Sequence, residues 1–220
     1  MRNFKLILSL IIVFLGVTLL LGCRQGYKLS HYNKEIQPKI KLEGKTLVYN
    51  TNSPELTQSQ QITHKDYENL KTILSGAQVE TLRITSLGGE VTASQKIARL
   101  VLKYNLNTEA QGECSSACII IFVAGKKRTL LKNSKLGFHS PSSEIKDYQE
   151  ARKRVEKLDK NLDYENTIIY NSRIKILDEI EFMTSRGVNF DFISKAFRIH
   201  PATMWYPSRK ELAISGLINS

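Results

Sequence analysis

The sequence has few cysteines and lacks the patterns that mark several large functional classes. Its three cysteines do not follow zinc-finger spacing. The chain also contains no aromatic RNA-binding signature, no long cluster of Lys and Arg, no internal repeat and no low-complexity tract. Although the formal net charge is +11, we therefore expect no nucleic-acid partner.

The composition excludes a wholly disordered chain. Hydrophobic residues make up 41% of the sequence and charged residues 24%, which are the proportions of a globular protein. A length of 220 residues allows one ordinary domain with a sizeable core, together with an appendage. The cysteines do not form an evident metal site, because only His139 could join Cys114 and Cys118 and a fourth ligand is missing. We expect neither a metal nor a cofactor.

The N-terminus has the pattern of an export signal. Two positive charges in MRNFK precede an uncharged apolar run from Leu6 to Cys23. The run ends in LLGC, which resembles the bacterial lipobox, in which the cysteine is lipidated and becomes the mature N-terminus. Cys23 is therefore a lipidation candidate. The alternative is an uncleaved signal anchor, since 18 apolar residues are just long enough to span a bilayer.

Both alternatives place the rest of the chain at a membrane, in the cell envelope, facing the periplasm or the extracytoplasmic side. We assign residues 1–23 to the signal or anchor and residues 24–45 to a basic linker. The linker carries six basic residues against Glu35 and Glu43. It either gains favourable electrostatics near an anionic lipid surface or serves as a solvated spacer.

Strand and helix patterns alternate through residues 46–220. A helical pattern follows Thr63, a candidate N-cap, and the tail has a second candidate N-cap at Ser208. The strand patterns are KTLVYNT, VETLRITS, NTEAQGE and a strand pair or hairpin around KNSK. The further helical patterns are VTASQKIARLVLKYN, residues 143–185 and NFDFISKAFRIH. The alternation predicts an α/β domain of parallel βαβ units, in which loops at the strand C-termini build sites.

Three motifs in this domain combine into a possible catalytic constellation. TSLGGEVTAS has two adjacent glycines between a strand and a helix, where backbone N–H groups can face an incoming oxygen. GECSSACIIIFVAG presents Ser116 among small residues at the entry of an apolar helix, where a serine is either a nucleophile or simply an N-cap. KLGFHSP ends an apolar strand at His139, and imidazole is a suitable base near neutral pH.

In their order and spacing these motifs resemble the Clp-protease-like branch of the crotonase superfold, which includes the ClpP peptidases and signal-peptide peptidase A. The resemblance extends from about Thr46 to Ser220, because SRKELAISGLINS is similar to the closing segment of that family. It implies a ClpP/crotonase-like α/β fold. It also implies that Ser116 is the nucleophile and His139 the general base, with the backbone N–H groups of Gly89 and Ala117 as oxyanion donors.

The chain departs from this family at the third catalytic position. The family's peptidases have an acid just before the closing segment, where this sequence has PATMWYPS with Met204 near the expected place. Asp191 lies upstream and would have to be brought round by a loop. The sequence therefore supports a Ser-His dyad. In a serine protease with a Ser-His-Asp triad, loss of the acid lowers the catalytic rate by about 10⁴. Ser115, one position earlier, is the reserve candidate for the nucleophile.

Cys114 and Cys118 bracket the candidate nucleophile and have two alternative states. In an exported protein the two are expected to pair, and such a disulfide would hold the turn that presents Ser116. The alternative is a pair of buried, reduced thiols that pack as small hydrophobic groups.

Three functions are compatible with these residues. The first is a membrane-tethered serine peptidase that acts on peptides or unfolded proteins, with possible homo-oligomers. The second is a catalytically weak or inactive relative that binds peptides in the same groove, which the position of Met204 favours. The third is an acyl-CoA enzyme of the crotonase type, which leaves the Ser116–His139 pair unexplained and conflicts with export from the CoA-containing compartment.

Overall fold

A computed structural model describes residues 39–52, 60–140 and 164–220, together with residue 153. The signal or anchor segment, the lipidation candidate Cys23 and most of the basic linker lie outside the described residues. Within the described part of the chain, no helix has the length and apolar character needed to cross a membrane.

The described residues form a six-stranded sheet with helices packed against it. The strands are β1 (Ile40–Glu43), β2 (Thr46–Asn50), β3 (Thr81–Ser86), β4 (Asn107–Ser115), β5 (Arg128–Leu130) and β6 (Lys135–Gly137). The helices are α1 (His64–Gly76), α2 (Val91–Lys103), α3 (Cys118–Val123), α4 (Tyr164–Ser185), α5 (Phe190–Phe197) and α6 (Arg209–Ile214).

The sheet is parallel except at one edge. Its order is β1-β2-β3-β4-β5, with β1 antiparallel to β2 and the pairs β2–β3, β3–β4 and β4–β5 parallel. The strand β6 also pairs in parallel with β4. The expected α/β domain of parallel βαβ units is therefore present, and the loops after β3, β4 and β6 meet at one end of the sheet.

The KNSK segment does not form the hairpin that its sequence allows. Both strands beside it run parallel to β4, with β5 on residues 108–110 and β6 on residues 113–115. Between them the chain makes a turn through Asn133, at φ 59. Because β4 is longer than either strand, it offers one edge to both in succession, and this pairing replaces the local antiparallel one.

The compact unit begins at Lys39, earlier than the predicted domain start at Thr46. Ile40 opens β1 with only 2% of its surface exposed, so this part of the basic linker is built into the sheet. The ammonium of Lys39 is also buried and lies 3.1 Å from the carboxylate of Asp66. That partner is distant in sequence, and the local pattern around Lys39 does not reveal it.

Both predicted helix N-caps are confirmed. The side chains of Thr63 and Ser208 accept hydrogen bonds from the backbone N–H groups of Asp66 and Glu211, and each pair forms a reciprocal capping box. The helical prediction for residues 143–185 is met from Tyr164 to Ser185. Its earlier part, apart from residue 153, lies outside the described residues.

Candidate active site

Ser116 lies in a tight turn between β4 and α3. Its φ is +56°, a left-handed conformation that a serine adopts only when its surroundings impose it, at a cost of about 1 kcal/mol or more. Two backbone hydrogen bonds hold the turn: the N–H of Ser116 donates to the carbonyl of Gly137 at 3.0 Å, and the N–H of Ile119 donates to the carbonyl of Ser116 at 2.9 Å. Behind the turn, every residue of α3 is buried, so the helix anchors it in the core.

A disulfide between Cys114 and Cys118 spans this turn, in agreement with the predicted pairing of the two cysteines. The two Cα atoms are 5.4 Å apart and both residues are fully buried. The bridge therefore ties the last residues of β4 to the first residue of α3, with Ser116 between them. Its position limits how far the serine backbone can relax out of the left-handed conformation.

Ser115 lies in a different environment from Ser116. It is fully buried, and its hydroxyl donates a hydrogen bond of 2.7 Å to the carboxylate of Glu113. Burial raises the pKa of Glu113, but hydrogen bonds from Lys135, Tyr206 and Ser115 outweigh burial and hold that pKa below its ordinary value. The hydroxyl of Ser115 is thus committed to an ionised carboxylate and does not face an open cavity.

The glycine pair after β3 approaches Ser116 closely. A Cβ added to Gly88, at φ +112, would lie 2.8 Å from the Cβ of Ser116. A Cβ on Gly89, at φ +146, would collide with the backbone of Ile62. Only glycine fits at either position, because a side chain would separate the turn from Ser116 or from the segment that precedes α1.

The backbone N–H groups of Gly89 and Ala117 are available beside Ser116. Ile62 pairs with the residues on both sides of Gly89: its N–H donates to the Gly88 carbonyl, and its own carbonyl accepts from the Glu90 N–H, each at 2.9 Å. The N–H of Gly89 therefore points away from Ile62. Among the described residues, neither this N–H nor that of Ala117 has an acceptor.

His139 is held by backbone pairing on both sides. Phe138 exchanges two hydrogen bonds of 2.9 Å with Trp205, and the N–H of Ser140 donates to the carbonyl of Ile199 at 2.8 Å. The imidazole Nδ1 lies 2.7 Å from the carbonyl oxygen of Ser140. Because a carbonyl can only accept, Nδ1 is the donor in this contact, and Nε2 takes no part in it.

Ser116 and His139 line one pocket, and both are partly exposed. No hydrogen bond joins the serine hydroxyl to the imidazole within the described residues. Catalytic hydrogen bonds are often long or absent before substrate binds, so the lack of this bond does not exclude a reacting pair. The structure thus brings four residues of the sequence motifs to one end of the sheet. These are the candidate pair Ser116 and His139, with Gly89 and Ala117 beside Ser116.

The third catalytic position remains without an acid. Met204 lies beside the strand that leads to His139: a Cβ on Gly137 would be 2.9 Å from its sulfur. Asp191 is exposed in the first turn of α5 and does not line the pocket. Among the described residues, no carboxylate forms a hydrogen bond or ion pair with His139. The Ser140 carbonyl is the group that orients the imidazole.

Glu179 is a pocket residue that sequence reasoning missed. It lies on α4 and lines the same pocket as Ser116 and His139. Burial raises the pKa of its carboxyl to about 7. A signal was present in the sequence, because Glu179 falls on the inward face that Ile176 and Met183 define at helical spacing, where a carboxylate is unusual.

Comparisons with known proteins agree with this architecture. A family model described as Clp protease matches residues 58–192. Among solved structures, a point mutant of ClpP1 from Listeria monocytogenes is similar over 72% of this chain and 85% of that chain, with a TM-score of 0.51 and 23% sequence identity. At that identity the similarity shows the fold, and the expected ClpP-like fold class is confirmed. No curated protein matches the chain.

Proposed function

The chain belongs to the Clp protease family, and we propose that it is a serine peptidase that cleaves peptides or unfolded proteins through Ser116 and His139. The observation that carries the proposal is the contrast between the two adjacent serines. Ser115 is buried and bonded to Glu113, whereas Ser116 is held in a left-handed turn at the wall of a pocket that His139 also lines. A strained turn that exposes a serine is a feature of nucleophilic serines in other hydrolases.

The proposed reaction proceeds through an acyl-enzyme. Nε2 of His139 removes the proton from the Ser116 hydroxyl as the oxygen attacks the scissile carbonyl. The free N–H groups of Gly89 and Ala117 stabilise the negative charge that develops on the carbonyl oxygen. The imidazolium then returns its proton to the leaving amine. In the second half of the reaction His139 removes a proton from water and the resulting hydroxide attacks the acyl carbon. The bond to the Ser116 oxygen then breaks, the imidazolium returns its proton to that oxygen, and the peptide leaves as a carboxylic acid.

In this mechanism the carbonyl of Ser140 replaces the missing acid. It fixes the tautomer and the orientation of His139, which are two roles of the acid in a triad. A neutral carbonyl stabilises an imidazolium less than a carboxylate does. We therefore expect slower turnover than that of a peptidase with a complete triad.

We also propose that the domain acts outside the cytoplasm and is tethered to a membrane through Leu6–Cys23. The leader pattern supports this proposal, and so does the disulfide, because disulfides persist in oxidising compartments. A homo-oligomer is compatible with the family, and its formation can be measured by light scattering.

A second candidate function is peptide binding without turnover. One observation favours it: Met204 lies near the place where the resemblance leads us to expect an acid, and no carboxylate of the described residues forms a hydrogen bond or ion pair with His139. In that case the pocket would hold a peptide against Ser116 without cleaving it.

Labelling with a fluorophosphonate probe separates these candidates. We expect the purified, oxidised protein to be labelled, Ser116→Ala to lose labelling, and Ser115→Ala, the matched neighbouring variant, to keep it if it folds. His139→Ala should slow labelling by at least about a hundredfold. Absence of labelling in folded wild-type protein would contradict the peptidase proposal and favour the binding function. Labelling that persists in Ser116→Ala would contradict the assignment of the nucleophile.

A further inference from the structure

The pocket beside Ser116 is apolar except at a few positions. One wall comes from α2 and α3, a second from the strand end that carries His139, and a third from α4 and α5. The large apolar side chains in the lining are Val91, Ile119, Ile120, Phe138, Met183 and Phe197. Such a lining fits the methylene stem of a substrate side chain, because burying each CH₂ group is favourable.

One carboxyl group interrupts this lining. Among the described residues, Glu179 makes no hydrogen bond and no ion pair, although it is partly buried against apolar neighbours. Part of its ordinary solvation has been lost without replacement, and this desolvation raises the pKa of its carboxyl to about 7. His139 is the other titratable side chain in the pocket lining, while the adjacent charged residues Asp178 and Glu181 are exposed.

We infer that Glu179 makes this pocket a subsite for a substrate side chain with an apolar stem and a cationic end, such as lysine or arginine. The stem would pack on the apolar walls, and the cation would supply the partner that the carboxyl lacks. A purely apolar side chain of the same length would instead cover Glu179 and leave its carboxyl buried without a partner, which penalises binding. This inference rests on the proposed function only for the step in which the selected peptide is cleaved.

Selectivity for a cation follows from the position of Glu179 at the pocket lining. Hydrogen bonds to charged groups are stronger than those between neutral groups, and a partly desolvated carboxylate strengthens them further. We therefore expect a lysine peptide to bind at least about tenfold more tightly than an equivalent peptide with a neutral side chain.

The test measures binding without turnover. Ser116→Ala protein is titrated by calorimetry with two acetylated tripeptide amides, Ala-Ala-Lys and Ala-Ala-norleucine, which share the same four-carbon stem. The titrations are repeated in the Ser116→Ala background with Glu179→Gln and, as the matched control, with Glu181→Gln on the exposed side of the same helix. Circular dichroism checks that each variant is folded.

The inference is supported if the lysine peptide binds at least about tenfold more tightly, if Glu179→Gln removes this preference, and if Glu181→Gln retains it. It is overturned if the two peptides bind equally, if neither binds at millimolar concentration, or if the preference survives Glu179→Gln. It is also overturned if Glu179→Gln in the wild-type background slows fluorophosphonate labelling without changing peptide preference, because the carboxyl would then act on the catalytic pair.

The outcomes also separate this inference from the peptidase proposal. A lysine preference in a protein that the fluorophosphonate never labels would leave the pocket as a cation-selective peptide site and remove the peptidase. Labelling of Ser116 without any lysine preference would leave the peptidase and remove the role of Glu179.

Discussion

Replacing Glu179 by Gln should change the pH dependence of stability in a way that can be calculated. Burial raises the pKa of this carboxyl from 4.5 to about 7 in the folded protein. Because the folded pKa is the higher one, its stabilising contribution is fully present below pH 4.5 and is lost as pH rises through 7. Glutamine has the same shape as glutamate and stays neutral at every pH. Glu179→Gln should therefore not lose stability as the pH rises through 7.

The size of the effect follows from the two pKa values. Each unit of pKa difference corresponds to about 1.4 kcal/mol, so ionising the buried carboxyl lowers the free energy of unfolding by about 3 kcal/mol at pH 8. At pH 5 the same calculation gives less than about 1 kcal/mol. Partial exposure of the side chain makes the value at pH 8 an upper limit.

Urea unfolding of wild type and Glu179→Gln at pH 5 and pH 8 measures this difference. We expect the variant to gain stability relative to wild type by about 2 kcal/mol between the two pH values. His139 lines the same pocket in both proteins. Glu181→Gln, on the exposed side of α4, should show no such gain. The reasoning would be refuted if the free energies of unfolding of Glu179→Gln and wild type differed by the same amount at pH 5 and pH 8.

Two further predictions concern the turn that carries Ser116. Gly88→Ala puts a Cβ 2.8 Å from the Ser116 Cβ and should slow fluorophosphonate labelling by about tenfold or more, whereas Gly112→Ala, whose Cβ would have its nearest neighbour at 3.7 Å, should not. Equal labelling rates in these two variants would show that close contact at the turn is unimportant. Replacing Cys114 and Cys118 together by Ser should lower the free energy of unfolding by about 2 kcal/mol, the value for so short a loop, and should slow labelling. Urea unfolding checks the stability, and an unchanged labelling rate would contradict the role of the bridge in holding the turn.

Features that depend on neighbouring residues could be predicted from the sequence. The caps at Thr63 and Ser208 follow from local hydrogen-bonding chemistry, since each serves an N–H group three residues away. The alternation of strand and helix patterns likewise predicted the parallel α/β unit. The close spacing of Cys114 and Cys118 predicted the disulfide, because two cysteines bracketing one turn are within bonding reach.

Features that depend on distant partners could not be predicted in this way. At the start of the compact unit, Lys39 contacts Asp66, a partner 27 positions away that only folding brings near. The strand pair or hairpin predicted around KNSK is present as two strands but not as a hairpin, because β4 offers both strands a parallel edge. The local sequence around Lys39 does not include Asp66, and the local sequence around KNSK does not include β4.

Some features of the candidate site could likewise be predicted from the sequence, and others depend on distant partners. The order and spacing of residue types were enough to predict the glycine pair, the two serines and His139 as candidates. Folding distinguishes the two serines, because it places the Ser115 hydroxyl against Glu113 and brings Ser116 to the pocket. It also brought Glu179 to the same pocket from a helix far along the chain. The direction and the desolvation of a side chain depend on the residues that the whole fold packs around it. Most of those residues are distant in sequence, so a local sequence pattern cannot predict them.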